Sequence, residues 1–139
     1  MGKERGKVAP ESGGSDLGPC PLPYWRGVIP VTLPSANVFM RSHWTARQKL
    51  GKVMYLELYD AFKDSFPSKA TGKRRVRVEV VSTRRRDRAN LWLPTDKLIH
   101  DNLTKFGWIV DDSEDYIEPE VVGRAGEPQT IVEIWGETC

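Results

Sequence analysis

Long apolar runs are absent from this sequence. No stretch approaches the roughly 18 to 20 residues that a membrane-spanning helix needs, so membrane insertion is not expected. The opening segment MGKERGKVAPESGG carries charges with no hydrophobic stretch after them, which argues against a secretory leader. Gly6 stands where a myristoylation signal requires Ser or Thr, so a lipid anchor is not expected either. Cysteine is nearly missing. Cys20, in a Pro/Gly-rich stretch, and Cys139, at the last position, supply neither a disulfide framework nor a zinc spacing, and a reducing cytoplasm is the expected compartment. The two histidines, His43 and His100, have no companion ligands at metal-binding spacing and read as ordinary polar residues. No internal repeat is visible.

What is present suffices for one domain. The chain has 139 residues, 39% hydrophobic and 29% charged, enough for one core and not for two. Its net charge of +2 conceals a segregation. From Lys69 to Arg88 nine bases (Lys69, Lys73, Arg74, Arg75, Arg77, Arg84, Arg85, Arg86 and Arg88) face two acids (Glu79 and Asp87), a balance of +7. From Asp111 to Glu137 nine acids face only Arg124, a balance of −8. Such blocks either neutralise one another as solvated faces or mark a surface for a polyanion.

Residues 1–26 read as a tail, because Gly, Ser and charges dominate and Pro19, Pro21 and Pro23 prevent a helix. The folded domain is then 27–139. Gly27–Leu33 is β-branched and apolar and predicts a strand, with Pro30 placing it at an edge or bulge. Between Trp44 and Phe62 the residues Leu50, Val53, Met54, Leu58, Ala61 and Phe62 follow the 3.6 period of an amphipathic helix. Arg75–Val81 alternates Val76, Val78 and Val80 inward with Arg75, Arg77 and Glu79 outward, the pattern of a half-buried strand. A second helix is predicted after Pro94, with Thr95 as N-cap, Ile99, Leu103 and Phe106 as its apolar stripe and Gly107 as its stop. Lys97, Asp101 and Lys105 lie on another face of it. Two strands follow, near Tyr116–Val122 and Thr130–Trp135, with a turn around Gly123–Gly126. The order β-α-β-α-β-β indicates a mixed α/β (α+β) domain, a small mixed sheet covered by two main helices.

Two acidic clusters stand out: Asp87 at the end of the basic run, and Asp111-Asp112-Ser113-Glu114-Asp115 after the second helix. Carboxylates converging from separate segments are what Mg²⁺ binding requires, because this hard ion takes oxygen ligands and keeps several waters. Flanking arginines would hold phosphates while the metal activates water. Each cluster alone is more often a solvated loop or turn. Trp44 and Trp92 could stack on unpaired bases, although Trp44 opens an amphipathic helix and is expected to pack in the core or a dimer contact.

The residues RRRDRAN (84–90), Lys97, Asp101, LTKFGWIVDD (103–112) and Tyr116, together with the upstream PSANVFMRSHWTARQK (34–49), resemble the signature of the RusA family of Holliday junction resolvases, common in phages and prophages. The resemblance spans roughly residues 28–136. It implies a homodimeric, Mg²⁺-dependent endodeoxyribonuclease, with Mn²⁺ as an alternative ion, that binds four-way DNA junctions and makes paired nicks in a bacterial or phage-infected cell. Position by position it implies Asp87, Asp112 and Lys97 as catalytic residues and Asp87, Asp111 and Asp112 as metal ligands. Arg84, Arg85, Arg86, Arg88 and Asn90 then contact DNA, with Arg47 and Lys73 extending that surface. The second aspartate of the family's Asp-x-Asp falls on Ala89, so cleavage is expected to be impaired. The alternative is a non-catalytic branched-DNA-binding protein on the same scaffold. A third possibility, from another class, is an interaction domain whose basic and acidic faces stack subunits.

Overall fold

The structure, a computed structural model, describes residues 22–137. The expected tail lies outside the described residues up to position 21, as do Cys20 and Cys139. The element order is β1 (Tyr24–Ile29), α1 (Ala36–Arg41), α2 (Trp44–Ala61), β2 (Arg74–Ser82), α3 (Arg88–Pro94), a π-helical turn (Thr95–His100), α4 (Asp101–Phe106), β3 (Ile117–Ala125) and β4 (Gln129–Trp135). It matches the expected mixed α/β order, with the short α1 added. Among the described residues no helix is long and apolar enough to cross a membrane.

One four-stranded sheet runs β1-β4-β2-β3. β2 and β3 are parallel, while β4 is antiparallel to both β1 and β2. β1 is an edge strand, as Pro30 implied, but it begins at Tyr24 and ends at Ile29, one residue before the proline. β2 buries Val76, Val78 and Val80 completely. These valines pack with Ile29, Val132 and Ile134 from the sheet and with Met54, Leu58, Phe62, Leu98, Ile99 and Leu103 from the helices, one core on one face. α2 spans Trp44–Ala61 as its periodicity predicts, with His43 capping it through Nδ1, which accepts from the Thr45 N–H. Val53 and Trp44 are nonetheless exposed, so Trp44 is not a core residue.

The second helix differs from expectation. It starts at Arg88, not after Pro94, and runs on to Phe106. Thr95 is no N-cap: it is buried and helical (φ −62°, ψ −47°), and Asp87 occupies the N-cap position instead. Leu91 and Pro94 belong to the buried face, so burial holds the extra turns in place. Proline has no N–H to donate backwards, and the chain accommodates it by π-winding just after Pro94, where the Asp101 N–H reaches the Asp96 carbonyl. Gly107 ends the helix at φ 80°, as expected. The turn expected around Gly123–Gly126 lies at 126–128, where the chain crosses the end of β2 and the Gly126 N–H donates to the Ser82 carbonyl at 2.9 Å. Gly123 is part of β3, paired with Val80 of β2, and glycine is needed there because a Cβ would strike the Arg86 carbonyl oxygen.

Candidate functional site

β2 hands the chain to the arginine-rich loop at 83–87, and three contacts seat that loop. The Ser82 hydroxyl donates to the Arg84 carbonyl at 2.6 Å, the Arg86 guanidinium donates to the Leu33 carbonyl, and the Arg86 backbone lies against Gly123. Arg84 and Arg85 are exposed, whereas Arg86 is half-buried and braces the loop. Arg88 is exposed, its guanidinium 6.0 Å from the Trp92 ring centroid. Asp87 is exposed at the helix start and makes no side-chain capping bond; the Asn90 N–H donates to its carbonyl at 3.0 Å. Ala89 is exposed in that first turn, so its methyl group stands in solvent.

A second group of acids forms farther along the helix. Asp112 meets the side chains of Asp96 and Asp111, and Asp101 stands close enough to act on it. Burial, then the charges of Asp96, Asp111 and Asp101, push the Asp112 carboxyl above its ordinary value. Asp96 moves the opposite way, because His100 Nδ1 lies 3.2 Å from its Oδ1 and favours the ionised form. Asp101 is raised by burial and by Asp96, against the pull of Lys97 and Lys105. His100 is wholly buried, and its Nε2 has no hydrogen-bond partner among the described residues.

The carboxylates that act on Asp112 are thus Asp111 beside it and Asp96 and Asp101 from the helix, while Asp87 stands at that helix's N-cap. The parallel pairing explains why. The acidic loop enters β3 beside the start of β2, where the Arg74 N–H donates to the Tyr116 carbonyl at 3.0 Å, while Asp87 follows the other end of β2. Asp96 lies nine residues beyond Asp87, roughly 13 Å along a helix axis. Lys97 is exposed next to Asp96 and, with Asp101 and Lys105, faces a recess between the helices that also includes Arg47. The signal for Asp96 and His100 was available in their i, i+4 spacing, but a helix thought to begin at Thr95 made Asp96 look like an N-terminal charge.

Much of the basic block is neutralised within the fold. β2 lies between β3 and β4, so its arginines meet the glutamates of the acidic block across the open face of the sheet. Arg77 pairs with Glu79 and Glu133 at 3.0 Å and with Glu120 at 3.5 Å, Arg75 pairs with Glu120 at 3.1 Å, and Arg124 pairs with Glu79. Arg74 is 1% exposed and bonds Glu137, Ser68 and the Trp108 carbonyl. Burial alone would raise Glu137, but the Thr71 N–H and the Arg74 guanidinium hold it down to about 2. Lys73, Arg84, Arg85 and Arg88 remain exposed.

Comparison of the chain with protein-family models and with curated proteins found no match.

Proposed function

We propose that this chain is a Mg²⁺-dependent, structure-selective endodeoxyribonuclease that resolves four-way DNA junctions by paired nicks, acting as a homodimer in the cytoplasm of a bacterial or phage-infected cell. The observation that carries the reading is the approach of Asp96, on the helix, to Asp112, on the loop, with Asp111 adjacent and the charge of Asp101 acting on the pair. The donors are all carboxylate oxygens, the chemistry a hard divalent cation requires. Among the described residues no three His, Cys, Asp or Glu side chains form a ready metal cage. Asp96 interacts with Asp112, with Asp111 adjacent, and Mg²⁺ can be bound through one or two carboxylates with water and phosphate oxygens completing its shell. When bound, Mg²⁺, or Mn²⁺ in its place, supplies an activated water and stabilises charge on the leaving oxygen. Lys97 neutralises the scissile phosphate, and Arg84, Arg85 and Arg88 grip the backbone.

Incubating a synthetic four-way junction with Mg²⁺ or with EDTA, beside a linear duplex, tests the proposal. Nicks specific to the junction, dependent on Mg²⁺ and abolished by Asp112→Asn are the expected result; no nicking by the wild type, or nicking in EDTA, overturns it. Asp87→Asn separates a metal site centred on Asp112, which retains residual activity without Asp87, from one that requires both ends of the helix. The exposed methyl of Ala89 favours a second reading, a branched-DNA binder with little or no cleavage. Ala89→Asp distinguishes the two: it raises nicking without tightening junction binding if the position feeds the metal site. Light scattering of the free and junction-bound chain tests the dimer, since paired nicks need a two-fold partner.

A further inference from the structure

We propose that the recess between α1, α2 and the long helix is a binding site for an unpaired nucleotide of a DNA strand, the base stacking on Trp44 and the backbone phosphates held by the surrounding lysines. The inference rests on the nucleic-acid reading above for the identity of the polymer, not for the site itself.

The recess has a volume of about 600 Å³, within the range of small-ligand sites. That volume is large enough for one splayed-out base with its phosphate. Its apolar wall includes Phe39, Met40, Trp44 and Leu93. Trp44 is 56% exposed and Met40 57%, an indole and a thioether left open to solvent. Four cations, Arg47, Lys52, Lys97 and Lys105, share the lining with the single acid Asp101. Coulomb complementarity therefore selects an anion, and an available π-face beside it selects an aromatic one. A strand of nucleic acid offers both features at every residue, whereas an acidic peptide needs the lysines but not the indole.

The walls are braced rather than loose. Asn102 Nδ2 donates to the Gly51 carbonyl at 3.0 Å and to the Leu98 carbonyl at 2.8 Å, tying α2 to the long helix under the recess. The Arg47 guanidinium stands 5.9 Å from the Phe39 ring centroid, joining α2 to α1. Gly51 lines the recess with nothing within 4 Å of where a Cβ would be, so space remains beside the cations.

Fluorescence anisotropy on the full chain in EDTA tests the site with three labelled DNAs: oligothymidine, a fully paired duplex of equal length, and that duplex with one unpaired thymidine inserted. Oligothymidine and the interrupted duplex are expected to bind about tenfold more tightly than the paired one. Trp44→Ala removes that preference and Trp44→Phe restores most of it, both with unchanged melting curves because the side chain is exposed. Lys52→Ala weakens binding to oligothymidine and to the interrupted duplex and lowers their salt slopes by about one, with the paired duplex little changed. Equal binding of all three DNAs, or an equal loss on all three with Trp44→Ala, overturns the proposal. So does competition by polyglutamate as effective as that by oligothymidine, which would make the recess a plain anion patch. Because the assay needs no cleavage, Trp44-dependent binding without nicking sinks the nuclease and leaves this site standing. Mg²⁺-dependent nicking with no preference for an unpaired base does the reverse.

Discussion

Asp112 is the residue on which chemistry and stability pull in opposite directions. Burial and the charges of Asp96, Asp111 and Asp101 all disfavour its ionised form. A raised folded pKa means that the ionised group costs stability, a cost absent in acid and complete once pH rises through the folded value. Asp112→Asn is therefore expected to raise the melting temperature at pH 7 without divalent cation. That advantage should fade toward pH 4, and calorimetry of both proteins at the two pH values checks it. Glu137 behaves oppositely. Its folded pKa of about 2 lies below its ordinary 4.5, so the stability it contributes is full above about 4.5 and disappears as pH falls toward 2. Glu137→Ala leaves the buried Arg74 charge without its anion, with an expected cost of about 3 kcal/mol in urea unfolding at pH 7 that shrinks in acid.

At the scale of elements, the long helix and the arginine loop are positioned by two residues whose effect is backbone geometry. Pro94 imposes the π-winding that follows it, and Gly123 lets the Arg86 carbonyl lie against β3. A methyl group at Gly123 collides with that carbonyl and reaches Leu91 Cδ1 at 3.0 Å, so the loop must lift from the sheet. Gly123→Ala is expected to cost about 2 kcal/mol, in the range of overpacked cores. Because Arg84, Arg85 and Arg88 ride on the displaced segment, junction affinity should fall as well. Urea titration and anisotropy read the two effects, and a stability loss with unchanged affinity would separate the loop from DNA.

Across the whole molecule, charge segregated along the chain becomes charge paired across the sheet. Of the nine bases between Lys69 and Arg88, three arginines of β2 meet carboxylates and Arg86 meets a carbonyl, which leaves Lys69, Lys73, Arg84, Arg85 and Arg88. Five phosphate contacts there add about −4.5 to the slope of log affinity against log salt, a loss of several hundredfold between about 50 and 200 mM beyond what the recess cations contribute. A slope near zero excludes the loop as a DNA surface.

The sequence by itself determined the elements whose signal is local. The valine alternation of β2, the 3.6-period face of α2 and the left-handed stop at Gly107 appear as read, because side-chain periodicity and the conformational freedom of glycine act within a few residues. It also supplied the Asp111–Asp112 half of the candidate site. Only the tertiary structure decided the rest. Burial of Leu91 and Pro94 outweighed the rule that a proline ends a helix, and the helix that continues through Pro94 carries Asp96, which interacts with Asp112. Strand order placed β2 between β3 and β4 and so set which arginines face glutamates and which face solvent. Those outcomes depend on partners from 16 (Asp96 and Asp112) to 63 residues away, and separations of that kind leave no mark in a local pattern, because the energy that selects them exists only once the core has closed.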